Sequence, residues 1–165
     1  MLPPTPAQIF LPERIRIPIL GTDLPIENPT SRDVSVLDRA LLQSVVRYPG
    51  SGLLGEDGNV FIFGHSTGHR TVHNQLFKAF NGIQNLEKNS LIELVSGNHL
   101  YIYQVEKVIT TNADDALVDL TIVPGLRRLT LSTCDSFGSK SSRFVVVATL
   151  LTETTAPEAQ QTSGR

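Results

Sequence analysis

The sequence predicts an all-β domain with two short helices, its strands closed or nearly closed into a barrel. Two observations predict it. About eight short apolar or alternating runs recur between turn signals, a spacing that suits barrels and sandwiches. These runs do not alternate with regular amphipathic helices, as a parallel sheet with crossover helices requires. Composition agrees: 165 residues, 40% hydrophobic and 18% charged, suffice for one domain with its own core. No repeat and no internal linker divides the chain.

The elements follow in order. Residues 1–12 are Pro-rich and aperiodic, so they are expected to form an extended arm ahead of a single domain spanning 13–151. Arg14-Ile15-Arg16-Ile17 alternates and predicts a strand ending near Pro18; Leu24-Pro25-Ile26 predicts a second. Thr30-Ser31-Arg32-Asp33 opens a segment from Val36 to Val46 whose apolar residues at 37, 41, 42, 45 and 46 predict a helix. The Gly/Pro cluster Tyr48–Gly52 stops it.

Asn59–Phe63 is a near-continuous apolar strand, hence a central one. Residues 66–70 are loop, and Val72 to Phe80 is spaced as a helix stopped by Asn81-Gly82. Leu91–Val95 and Tyr101–Ile109 flank a hairpin turn at Ser96-Gly97-Asn98. A long connection from Thr110 to Gly125, with a helical turn around Asp114–Leu117, leads to strands Arg128–Thr133 and Arg143–Leu150. Residues 152–165 are rich in Thr, Glu, Ala and Gln and predict a disordered tail.

Charge and composition exclude some functions. A net charge of −2 and scattered basic residues make no case for nucleic-acid binding. Aromatics at 6%, with no Trp, leave no base-stacking platform. No run approaches the ~20 apolar residues of a membrane span, and Met1-Leu2-Pro3-Pro4-Thr5-Pro6 is no signal peptide.

The only cysteine, Cys134, is the most informative residue. One cysteine forms no internal disulfide, and a lone one is ordinarily a small buried hydrophobe. Here it ends the run Leu129-Thr130-Leu131-Ser132-Thr133, a polar loop follows, and Arg143 opens the next apolar run. A thiol and a fixed cation are thus expected at facing ends of neighbouring strands, where the cation favours the thiolate and can hold an oxyanion. His65 ends the earlier run Asn59–Gly64, with Gly64 free to turn the backbone sharply. Thiol, imidazole and guanidinium at strand ends are the parts of acyl transfer through a thioester.

Other constellations are weaker. His65, His69 and His73 recur every four residues, but a strand precedes His65, Gly68 interrupts, and no His-Glu-x-x-His pattern is present, so no metal is expected. Asp114, Asp115, Asp119 and Glu106 lack an EF-hand pattern, so calcium is unsupported and a solvated loop is expected. His99, beside a hairpin turn, is expected at the surface. A papain-like arrangement is disfavoured because the His precedes the Cys in the chain.

From about Arg14 to Leu150 the chain resembles the sortases, cysteine transpeptidases of Gram-positive-type cell envelopes. Thr130-Leu131-Ser132-Thr133-Cys134 is similar to their Thr-Leu-x-Thr-Cys signature, Gly64-His65 to their histidine motif, and Arg143 to their arginine. Arg16-Ile17-Pro18-Ile19 and Tyr48-Pro49-Gly50-Ser51 before Gly58-Asn59-Val60 support the match. The stretch around Leu76–Phe80 bears a loose resemblance to housekeeping or class D/E-like members.

The resemblance implies a closed eight-stranded barrel that reads a sorting signal similar to Leu-Pro-x-Thr-Gly. Cys134 would be the nucleophile, His65 the acid and base, and Arg143 the oxyanion and substrate anchor, with Thr133, Ser132 and Ser66 as substrate contacts. The acyl group would pass to an amine of a peptidoglycan precursor or a pilin lysine. It implies no cofactor, and work at the outer face of the cell membrane through an anchor that this chain does not contain. Residues 110–127 would form one wall of the groove. Leu2-Pro3-Pro4-Thr5-Pro6 looks like a signal with Pro for Gly, though a plain linker is the simpler reading. The alternative is a catalytically silent barrel that binds extended peptides by strand addition.

Overall fold

The computed structural model describes residues 8–67, 71, 74–112, 118–135 and 142–155, with backbone alone at Phe77, Cys134, Asp135 and Ser142. Eight strands run in the order β1 (Arg14–Ile17), β2 (Thr22–Glu27), β3 (Val45–Arg47), β4 (Gly58–Ser66), β5 (Leu91–Ser96), β6 (His99–Asn112), β7 (Arg127–Asp135) and β8 (Ser142–Thr155). One α-helix, α1 (Val34–Leu41), lies between β2 and β3. The strands close into a barrel in the order β1-β2-β3-β4-β7-β8-β6-β5, the architecture expected from the sequence.

Alternation puts one face of each strand inside. Ile15 and Ile17 of β1, Ile92 and Leu94 of β5, and Leu129 and Leu131 of β7 are all fully buried. Arg14 and Arg16 point the other way, beside Asp23 of β2. β6 shifts register after Ile102 and again after Val105. Such bulges bend a long strand enough to wrap it around a small barrel. At the β5–β6 turn Gly97 has φ +56°, the left-handed conformation that a tight hairpin demands.

Two expected helices are corrected. The segment read as a helix from Val36 to Val46 is helical only to Leu41, and Val45–Arg47 is strand β3. Val45 faces the barrel core while Val46 packs with Leu41 and Phe63, so both are fully buried on opposite sides. That is a strand's geometry, and two β-branched residues in succession favour it. The stretch to Phe80 contains a short 3-10 turn, Gln75–Lys78, and a second turn follows at Ile83–Asn85. Asn74 accepts the Leu76 N–H at 3.0 Å and caps the first turn; Val72 and His73 lie outside the described residues.

The tail is also corrected. Thr152 to Thr155, read as the start of a disordered segment, continue β8 and pair with His99 to Ile102 of β6. Thr suits a strand well, and the partner strand supplies the missing hydrogen bonds. His99, expected simply at the surface, is half-buried: it stacks on Phe10 at 4.1 Å between centroids, and its Nδ1 lies 3.1 Å from the Thr155 hydroxyl. The signal-like Leu2–Pro6, the turn around Asp114–Leu117, and His69 lie outside the described residues.

Candidate active site

Most neighbouring strands are antiparallel, but β4 and β7 run parallel, so their C-terminal ends meet. The register sets Gly64 beside Thr133, His65 beside Cys134 and Ser66 beside Asp135. β7 and β8 are antiparallel, with Ser132 beside Val145. The ladder ends there, two residues short of Cys134 and Arg143, and the Phe144 N–H donates to the Thr133 hydroxyl at 3.0 Å across the same strand ends. On the far side Arg143 stands beside Thr111 of β6. His65 and Cys134 therefore share a row on adjacent strands, and Arg143 lies near the start of β8, the next strand over. Neighbouring strands lie about 4.8 Å apart, so the outer two stand roughly 10 Å apart with the cysteine between them.

His65 is held by a segment that sequence reasoning treated as a helix and its stop. The Phe80 N–H donates to the His65 carbonyl at 2.9 Å. One residue on, Asn81 pairs with the Thr67 backbone in both directions, accepting from its N–H at 2.9 Å and donating to its carbonyl at 3.0 Å. The Phe80 ring is fully buried and covers Gly64, where an added Cβ would come within 3.0 Å of the ring and 2.8 Å of Val45. Gly64 is thus required because the ring lies directly on the backbone. Outside, α1 packs Leu41 against Phe63 and Val46, stiffening the strand that carries the imidazole.

Arg143 is half-buried and makes no ion pair with any described residue. Of the expected substrate contacts, Thr133 is 2% exposed and its hydroxyl is occupied by Phe144. Ser132 is equally buried. Ser66 follows His65 and is half-buried. Of the side chains expected to touch substrate here, Thr133 and Ser132 are buried and Ser66 is half-buried.

A family model, the Sortase domain, matches residues 15–151. The chain belongs to the sortase family. Sortases are cysteine transpeptidases, and this protein is one of them. It is similar to the crystal structure of sortase C-1 from Actinomyces oris, with a TM-score of 0.67 and 25% identity over 90% of this chain and 74% of that one. Sortase A from Listeria monocytogenes superposes with a TM-score of 0.67 at 23% identity, covering 90% and 92%. A single-site variant of sortase E from Streptomyces avermitilis gives 0.67 at 24%, covering 90% and 96%. The likeness spreads over several sortase classes rather than singling out D or E. Comparison with curated proteins finds no match.

On the outer barrel face, Thr130 of β7 and Val145 and Val147 of β8 line an open groove. A cavity of about 210 Å³ runs along this face, floored by Thr130, Val145, Val147 and Ile109 and walled by Val118 and Asp119 of the β6–β7 connection. Asn59 ties the wall to the floor: its Nδ2 donates to the Asp119 carbonyl at 3.0 Å and its Oδ1 accepts the Thr130 hydroxyl at 2.9 Å. A larger cavity of about 420 Å³, lined by Phe10, His99, Arg127 and Glu153, lies at the other end of the barrel. Arg127 precedes Cys134 by seven strand positions, roughly 23 Å, so that cavity is remote from the row.

The same connection carries a pH dependence. The Gly125 N–H, at 2.9 Å, and then Arg127 hold the Asp57 carboxyl below its ordinary pKa. Thr121, through its side chain and then its N–H, does the same for Asp119. A carboxylate with a depressed folded-state pKa adds stability above its unfolded value, about 4, and loses it as pH falls through the folded value. The urea midpoint is therefore expected to fall between pH 5 and pH 2. In Asp57→Asn the fall should be smaller, and an identical pH profile would remove Asp57 from the account.

Proposed function

We propose that the protein cleaves a sorting signal similar to Leu-Pro-x-Thr-Gly and transfers its acyl part to an amine. The placement of His65 beside Cys134 on parallel β4 and β7, with Arg143 near the start of the neighbouring β8, is the observation that supports this reading. The Cys134 thiolate adds to the carbonyl carbon after Thr, and the π electrons move to oxygen. Collapse of the intermediate breaks the C–N bond, His65 gives a proton to the departing amine, and a thioester remains. An incoming amine, from a cell-wall precursor or a pilin lysine, loses its proton to His65 and attacks the thioester. Cys134 is released unchanged.

Arg143 offers fixed donors to the oxyanion and to the substrate main chain. Ser66 and the main chain of Ser132 and Thr133 line the bound signal. The catalytic domain begins at residue 13 and extends through β8. The sortase family is associated with the cell envelope; we place the protein on the outer membrane face, held by an anchor beyond the residues described. Among those residues no helix is long and apolar enough to cross a membrane.

The test is turnover of a signal peptide with and without an amine acceptor. Transfer product should accumulate only with the amine, and hydrolysis should be slow without it. Arg143→Ala should lower kcat/KM by about 10²- to 10³-fold, the usual consequence of losing an oxyanion donor. Lysine there should restore little, because a point charge does not reproduce the guanidinium fork. An unchanged rate in Arg143→Ala would sink the oxyanion role.

A further inference from the structure

The strand that carries His65 changes partners just before it reaches the site. Alternate residues of a strand turn their backbone groups to the same side, so 61, 63, 65 and 67 all face the β3 side of β4. The Tyr48 N–H donates to the Phe61 carbonyl at 2.8 Å, and Val46 pairs with Phe63. The ladder with β3 goes no further than Phe63, whereas the ladder with β7 continues to Ser66. On the β3 side residues 80 and 81 take over. The Phe80 N–H donates to the His65 carbonyl at 2.9 Å. The Asn81 side chain accepts the Thr67 N–H at 2.9 Å and donates to the Thr67 carbonyl at 3.0 Å. A carboxamide carries the donor and acceptor of a peptide unit, so it pairs with Thr67 as a neighbouring strand would.

This side-chain rung stands on a fixed base. Phe80 before it and Ile83 after it are fully buried. The Asn81 N–H donates to the Lys78 carbonyl at 3.0 Å, and the Ile83 N–H to the Phe80 carbonyl at 3.3 Å. Asn81 itself is exposed, so its amide contributes little to the core. Its backbone is already ordered by its neighbours, and the two bonds to Thr67 cost little further conformational entropy.

We infer that Asn81 is a positioning residue for the reaction: by pairing with Thr67 it fixes the strand end that carries the His65 imidazole beside Cys134. The inference rests on the roles proposed above for Cys134 and His65. His65 stands beside Cys134 in the β4–β7 register and gives its proton to the departing amine. Thr67 lies two residues on, past the last rung with β7 at Ser66. Losing the Asn81 pair loosens the chain there and, through it, the imidazole. A catalytic group displaced by about 1 Å costs up to about 10²-fold in rate.

The experiment compares a signal peptide with an analogue whose scissile amide is a thioester, a leaving group that departs without a proton. Acylation of Cys134 is followed in single turnovers by quenched mass spectrometry. Asn81→Ala should lower the maximal rate with the amide about tenfold, at an unchanged half-saturating concentration, and leave the thioester near its wild-type rate. Asn81→Asp keeps an acceptor for the Thr67 N–H but not the donor to its carbonyl, and should fall between. Calorimetry should place both variants within a few degrees of wild type, as suits an exposed side chain. Equal slowing with both substrates, an unchanged amide rate, or a higher half-saturating concentration alone overturns the positioning role while leaving transpeptidation intact. If the wild type is acylated by neither substrate, the chemistry proposed for Cys134 fails. The NMR signal of the His65 ring then decides Asn81 separately. A second or broadened signal in Asn81→Ala supports the inference; a single unchanged one overturns it.

Discussion

Cys134→Ala is expected to abolish turnover of a signal peptide, by on the order of 10⁴-fold or more, while thermal unfolding stays within a few degrees of wild type. The size follows from the chemistry. Without the sulfur there is no thioester, and an imidazole and a guanidinium alone have nothing to acylate; removing the nucleophile of such a unit costs about as much as removing all of it. The small stability change follows from position: Cys134 is the penultimate residue of β7, at the open end of the barrel, and the fully buried residues Leu129 and Leu131 lie further down the strand. Mass spectrometry with a thiol-directed signal peptide gives the complementary reading, a covalent adduct at Cys134. A variant that keeps its turnover ends the nucleophile assignment. One that unfolds instead makes the cysteine a packing residue, the ordinary role of a lone thiol.

Phe80→Ala should be the most damaging single change away from the row. The ring is fully buried in the main core and lies against Gly64, one residue before His65. Truncating such a ring costs about 3–5 kcal/mol through lost transfer energy and the cavity left behind. For a domain of this size that lowers Tm by roughly 10 °C. Activity should fall further than the folded fraction explains, because the Phe80 N–H also holds the His65 carbonyl and its ring fixes the strand end beneath the imidazole. Leucine should recover much of the stability and less of the activity. Unfolding by calorimetry, read beside kcat/KM at a temperature where both proteins are folded, separates the two. Proportional losses would reduce Phe80 to a core residue with no part in placing His65.

Much of the site was legible because it depends on local pattern. A run ending in Thr133-Cys134, a run ending in Gly64-His65 and a run opening with Arg143 each declare a strand end, and strand ends of one barrel gather at its rims. The pairing was not legible. Nothing in the spacing of 65 and 134 states that their strands lie parallel and adjacent, yet that contact sets the row.

Misreadings have the same origin. Val45-Val46 satisfies both a helical stripe and a doubly buried strand, and the choice was made by cores on its two sides. Thr152–Thr155 looked too polar to order, but a polar strand orders once β6 offers its edge. Asn81, read as a helix stop, clamps the backbone after His65 by amide bonds that leave no trace in hydropathy.

The sequence by itself determined an all-β class with a closed or nearly closed barrel, the inward faces of the long strands, and the three residues that carry a thiol, an imidazole and a guanidinium. These are matters of period and residue type, written locally along the chain. Only the tertiary structure decided that β4 and β7 run side by side and that Phe80 and Asn81 hold His65. Each of these is a contact between segments far apart in sequence. Such contacts depend on which surfaces meet when the barrel closes, and a single strand's pattern does not encode its neighbour.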